Sequence, residues 1–186
     1  MRLFAAIPVG PPVDSVLHQL LERWRTTDWP VKWVRSEGLH LTLKFLGSVE
    51  NGRVDAISAA LAQATSGTPH LPFTLTELGG FPTIAKARVL WAGLESEAAL
   101  ELLVHRVEQG FAGLGFPVEG RPYRPHVTLG RVRENQRLPA TAIDSLDATP
   151  LEPVSFTSAQ VVLFESLTGA GGSRYEARAT FPLGNR

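Results

Sequence analysis

The chain has 186 residues, 44% of them hydrophobic and 19% charged, so it can bury a sizeable core and wholesale disorder is excluded. Lys+Arg and Asp+Glu each number 18, so no global field draws nucleic acid or anionic lipid, and any polyanion site is a local patch. Cysteine is absent, which excludes disulfides, thiolate zinc sites and a cysteine nucleophile.

Residues 2–8 read as a strand. The apolar run Leu3 to Val9 is short, contains Pro8 and leads to no cleavage site, so a strand is favoured over a signal peptide. Val13, Val16, Leu17, Leu20, Leu21 and Trp24 recur at helical spacing behind Pro11 and Pro12. Val31 to Arg35 and Leu39 to Leu46 read as strands. Val54, Ile57, Leu61 and Ala64 mark a second helix, closed by Gly67 and Pro69. Leu71 to Leu78 and Arg88 to Leu94 are strands joined through Gly79, Gly80 and Pro82. A third helix carries Leu100, Leu103, Val104, Val107, Phe111 and Leu114, with Gly115 past its end. An irregular approach through Pro117, Gly120, Pro122 and Pro125 leads to a strand at His126 to Arg131. A short helix is expected around Thr141 to Leu146. Val154 to Glu165 and Tyr175 to Phe181 read as the last two strands, with a turn at Gly169, Gly171 and Gly172.

Strands and helices alternate irregularly and no linker divides them. The expectation is one α+β domain over residues 1–186. No apolar run approaches the roughly 20 residues of a membrane span, so a soluble, cytoplasmic protein is expected. Each half contains strands, a long amphipathic helix and one His-x-Thr-Leu tetrapeptide, a hint of duplication.

The tetrapeptides are His40-Leu41-Thr42-Leu43 and His126-Val127-Thr128-Leu129, nearly half the chain apart. Strand side chains alternate with period two. His40 and Thr42 therefore share one face, and Leu41 and Leu43 the other; His126 and Thr128 likewise oppose Val127 and Leu129. Each motif is an amphipathic strand that anchors an aliphatic pair and presents a His/Thr pair. If the halves are related by a pseudo-twofold axis, the two His/Thr faces meet across a cleft. Imidazole titrates near 6.5, so one ring can serve as base while the other serves as acid. Around a phosphodiester, that pair can activate water and protonate the departing oxygen, while threonine hydroxyls donate to non-bridging oxygens. No metal is required by this scheme. Two histidines fall short of the three protein ligands usual for catalytic zinc. No Gly-x-Ser-x-Gly elbow, P-loop or Gly-x-Gly-x-x-Gly fingerprint is present. His18, His70 and His105 stand outside any motif and read as surface or core residues.

At these residues the sequence resembles the two-histidine (2H) phosphoesterases, nearest the bacterial RNA 2′,3′-cyclic phosphodiesterase branch, also called LigT-like or 2′-5′ RNA ligase. Arg2-Leu3-Phe4-Ala5-Ala6-Ile7 is similar to the family's opening strand. Trp33-Val34-Arg35 with His40 through Gly47, and Arg124-Pro125-His126 through Arg131, are similar to its two motif blocks. Phe164-Glu165-Ser166-Leu167 and Gly172-Ser173-Arg174-Tyr175-Glu176 are similar to its closing hairpin. The resemblance implies two pseudo-symmetric α+β lobes, each an antiparallel sheet with helices outside, enclosing a central groove. It implies opening of RNA 2′,3′-cyclic phosphates to 2′-phosphomonoesters, without metal or cofactor, and in some members 2′-5′ ligation. It makes His40 the proton donor, His126 the acceptor, and Thr42 and Thr128 phosphate-binding residues.

Arg131 and Arg124 are further candidates for substrate contact. Strict alternation puts Arg131 on the Leu129 face, so a bulge near Gly130 is needed to bring it to the cleft. Arg121, Lys44 and Arg35 are candidates for the local basic patch, and Trp33, Tyr123 and Phe81 for base stacking. The expected partner is RNA with a 2′,3′-cyclic phosphate end or a small cyclic nucleotide, with no membrane or protein partner and a monomeric state. Two rival readings are a phosphodiesterase on small cyclic nucleotides or ADP-ribose cyclic phosphate, and a nucleotide- or RNA-binding module without catalysis.

Overall fold

The computed structural model describes residues 1–169 and 172–184. In chain order the elements are β1 (Arg2–Pro8), α1 (Val13–Arg25), β2 (Val31–Trp33), β3 (His40–Ser48), α2 (Val54–Thr65), β4 (Leu71–Phe81), β5 (Val89–Ser96), α3 (Ala98–Ala112), β6 (His126–Val132), α4 (Ala140–Asp147), β7 (Ser155–Ser158), β8 (Gln160–Gly169) and β9 (Gly172–Pro182). The apolar stripes of the helices dictate their seating. Leu17, Leu21 and Trp24 of α1 and Leu103, Val107 and Phe111 of α3 are fully buried, while charged residues such as Glu22, Arg23 and Glu101 take the outer faces. The α+β class is as expected.

The strands pair antiparallel in the order β7-β4-β5-β6-β3-β1-β8-β9, with β2 also on β6. Two groups of strands meet at β3 and β6. Their junction is narrow, with one ladder position, Leu41 opposite Val127. Farther along β6, β2 takes the same edge, with Lys32 opposite Arg131 and Trp33 opposite Gly130. Each lobe is thus a local antiparallel sheet, and the pseudo-twofold axis runs near the Leu41/Val127 pair. Both of those side chains are buried, at 1% and 0% exposure.

Several details depart from the sequence reading; Gly79 and Gly80, expected in the loop after Leu78, instead continue β4 to Phe81 and pair with Trp91 and Leu90 of β5. The strand expected over Val154 to Glu165 is two strands, because the chain changes lobes at Ala159. Strand β7 extends the β4 edge and β8 pairs with β1. Apolar alternation runs on both sides of Ala159, so hydropathy alone carries no mark of the crossing. The third helix ends at Ala112, and Gly115, at φ +85°, lies in the turn beyond it, where Phe116 N–H donates to Phe111 O at 3.0 Å. In the turn expected between the last two strands, Gly169 and Gly172 belong to β8 and β9, and residues 170–171 lie outside those described. Among the described residues, no helix is long and apolar enough to cross a membrane.

Candidate active site

Burial follows the predicted alternation through both motifs. Leu41, Leu43, Val127 and Leu129 are buried, while His40, Thr42, His126 and Thr128 are half-buried on the opposite face. Direct antiparallel partners project to the same face. The Leu41/Val127 bridge therefore places both His/Thr pairs side by side on one surface of the curled sheet. The two imidazoles stand diagonal to each other across the junction, a relation that spans about 7–8 Å between strands. Their proximity is electrostatic as well, since charge on His126 acts to hold His40 down.

The rings are held alike. His40 Nδ1 lies 2.6 Å from Gly38 O, and His126 Nδ1 lies 2.7 Å from Arg124 O. A carbonyl only accepts, so Nδ1 carries the hydrogen in each ring. That leaves Nε2 of each ring with a lone pair when the ring is neutral and a proton when it is charged. Aromatic walls fix the ring planes. Tyr175 meets His40 edge-on at 5.1 Å, with Phe4 at 4.8 Å. Phe81 meets His126 edge-on at 5.0 Å, with Trp91 at 6.2 Å. Two glycines make room for these walls. A Cβ at Gly79 would lie 2.1 Å from the Trp91 indole, and one at Gly38 would lie 3.0 Å from the Tyr175 ring. Burial is the main reason both imidazoles sit below the ordinary value near 6.5; the carbonyl bonds oppose it, and Arg131 adds to it at His126.

The bulge needed for Arg131 is present. Strand β5 pairs Trp91 with Thr128 and Leu90 with Gly130, so Leu129 is the extra residue. Gly130 turns to the core and Arg131 returns to the groove face, where its charge acts on His126 and on Tyr175 from the other lobe. The first motif does the same. Strand β1 pairs Ala6 with Thr42 and Ala5 with Lys44, leaving Leu43 as the extra residue. Lys44 therefore turns inward and Phe45 outward, 62% exposed and 5.7 Å from Phe4. Phe45 is the positional counterpart of Arg131. Aligning His-Leu-Thr-Leu-Lys-Phe with His-Val-Thr-Leu-Gly-Arg makes that equivalence readable in the sequence, as is the bulge once it is invoked for both copies.

The other candidates divide. Lys44 is a strut rather than part of a basic patch, bonding Glu108 Oε2 at 2.7 Å and Pro117 O at 2.6 Å. Arg121 pairs with Glu119 at 3.3 Å on an exposed loop. Arg124 serves His126 through its carbonyl, and its exposed side chain forms no ion pair among the described residues. Arg35 precedes the helical turn Ser36–Gly38 that leads into His40. Trp33 stacks on Trp24 at 5.4 Å and belongs to the core. Phe81 borders His126. Tyr123 is half-buried and donates its hydroxyl to Thr42 O at 2.8 Å, tying the approach to the second motif onto the first. Trp91, Phe4, Tyr175 and Phe45 are site residues that alternation alone does not single out. Among the described residues, no group of three or more His, Asp or Glu is placed to hold a metal.

Comparison with known proteins fits this geometry. The family model of the 2′-5′ RNA ligase superfamily matches residues 12–170. An RNA 2′,3′-cyclic phosphodiesterase of Thermotoga maritima is 31% identical over 152 residues, 82% of this chain and 81% of that one. The crystal structure of the Thermus thermophilus protein TT0787 superposes with TM-score 0.82 at 25% identity, covering 100% of this chain and 99% of that one. That of Escherichia coli LigT complexed with 3′-AMP superposes with TM-score 0.74 at 25% identity, covering 98% and 97%. With the paired His-x-Thr-Leu strands inside the matched span, the chain belongs to the 2′-5′ RNA ligase superfamily.

Proposed function

We propose that this protein hydrolyses 2′,3′-cyclic phosphate ends of RNA to 2′-phosphomonoesters, with His40 and His126 as the acid–base pair. The observation that carries the reading is the matched pair of Nδ1-anchored imidazoles on one face of the sheet at the β3–β6 junction. The Thermotoga maritima relative, an RNA 2′,3′-cyclic phosphodiesterase, supports the substrate class.

The phosphorus lies between the two rings. Neutral His126 accepts a proton from water at Nε2 as the water oxygen attacks phosphorus. The bond from phosphorus to O3′ breaks, and O3′ takes the proton from Nε2 of cationic His40. The product is a 2′-phosphate and a free 3′-hydroxyl, and one proton has moved from one histidine to the other through the reaction. Thr42 and Thr128 hydroxyls donate to the non-bridging oxygens, and Arg131 adds positive charge beside them. The exposed Phe45 ring offers a stacking face to the terminal base. Each imidazole supplies roughly 10²–10⁴-fold.

The test is turnover of a 2′,3′-cyclic-ended oligonucleotide in EDTA by wild type, His40→Ala and His126→Ala. The expected result is a 2′-phosphate product and a loss of roughly 10²–10⁴-fold in each variant. Undiminished turnover in either variant contradicts the assignment.

A further inference from the structure

The groove face does not end at the catalytic pair. Beyond the Leu129 bulge, Arg131 on β6 stands directly opposite Lys32 on β2. The two side chains therefore project to the same surface, on strands about 4.8 Å apart. Their neighbours fix the sense of the alternation, since Val31, Val132 and Leu90 are buried on the other face. Arg133 follows Arg131 by two residues. Its N–H donates to Pro30 O at 2.8 Å, so pairing with the segment before β2 runs on through it. Period two then returns Arg133 to the face of Arg131, about 6.5 Å farther along. Lys32, Arg131 and Arg133 are all exposed, and none enters an ion pair among the described residues.

The other end of the groove is different. Phe45, exposed on the site face beside Phe4, occupies the place corresponding to Arg131. The first motif thus presents an aromatic ring where the second leads into three cations outside any ion pair among the described residues. In a chain of zero net charge this is a local asymmetry, and a polyanion responds to it.

We propose that Lys32 and Arg133, led by Arg131, form a phosphate track over the β2–β6 edge for the single-stranded RNA lying 5′ of the reacting terminus. The inference rests on the functional reading above and deepens it. The terminal nucleotide occupies the histidine site, and the preceding phosphates step outward along the track. The enzyme then favours an oligonucleotide over a mononucleotide with the same cyclic end. The phosphates bind by charge, so sequence preference along the track is weak.

The experiment compares Lys32→Gln, Arg133→Gln and the double variant with wild type. The substrates are a 2′,3′-cyclic mononucleotide and a tetranucleotide bearing the same terminal nucleoside. The expected result is a fall of roughly fivefold to tenfold in the tetranucleotide-to-mononucleotide ratio of kcat/KM in the double variant. Its log–log salt slope on the tetranucleotide should be shallower by about 1.4, at about 0.7 for each phosphate no longer neutralised. An unchanged ratio overturns the track, whether neither substrate is affected or both fall together. If wild type opens neither substrate, the functional reading fails and the track is judged by binding alone. A fluorescein-labelled tetranucleotide 3′-phosphate should then bind the double variant several-fold more weakly by anisotropy, and equal binding overturns the track.

Discussion

Each motif imidazole is bonded at Nδ1 and partly buried, and the two effects pull in opposite directions. Burial wins, so both rings lie below the ordinary value near 6.5. The reactive form of the free enzyme has one ring charged and one neutral, and it is most populated between the two lowered values. The kcat/KM profile against pH is therefore a bell with its maximum on the acid side of 6.5. A bound phosphate anion favours the charged ring, so the kcat profile should lie at higher pH. Stability has a related dependence. The unfolded chain holds more protons than the folded one from just above 6.5 down to the folded values, so stability falls as pH drops through this window and levels off below it. His40→Phe, which keeps a ring in the aromatic wall and cannot take a proton, should flatten the fall in Tm between pH 7.5 and 5.5. An equal slope in that variant would refute the link. At the phosphate oxygens, Thr42→Val and Thr128→Val remove the hydroxyl and little volume. Each should lower kcat roughly tenfold to a hundredfold without changing Tm by more than a few degrees. The placement of the histidines and threonines on one shared face was legible from the sequence because the motif occurs twice, and coincidence of two copies is what a single His-x-Thr lacks. The ring walls were not, since Phe4, Trp91 and Tyr175 reach the site from strands whose pairing the sequence does not display.

At the scale of elements, the two bulges decide which side chains face substrate. Without the extra Leu129, Arg131 would point into the core and Gly130 into the groove. Gly130 has no room for a side chain, because a Cβ there would lie 2.6 Å from Val31 and 2.7 Å from the Trp33 ring. Gly130→Val should separate β2 from β6 and cost about 1–3 kcal/mol, read as a lower Tm. Gly79→Ala makes a sharper test of the aromatic wall. The new methyl collides with the Trp91 indole and drives it off the sheet toward His126. The account expects a loss of activity larger than Trp91→Ala produces, and activity equal to wild type would contradict it. Tyr123→Phe removes one hydrogen bond between the two motifs, worth about 1 kcal/mol, and should lower kcat several-fold with KM little changed. The requirement for a bulge was visible from Arg131 alone. That Lys44 turns inward to Glu108 and leaves Phe45 exposed follows from the same device in the first copy.

For the whole molecule, the arrangement is two similar half-sites joined along a junction one ladder position wide. The narrow junction lets the sheet curl, so that residues nearly half a chain apart share one groove. Alternating strands and helices, the helix faces and the α+β class were readable from hydropathy and turn residues. The connectivity was not. Strands β7 and β8 are adjacent in sequence yet lie in different lobes, and only long-range pairing distinguishes that from one continuous strand. The central claim is that one phosphate spans both imidazoles. A crystal structure of the wild-type protein soaked with inorganic phosphate tests it most directly. The account predicts a single bound ion with Nε2 of His40 and of His126 each within about 3 Å of its oxygens. A phosphate bonded to one ring alone, with the other Nε2 turned away from it, would contradict the account.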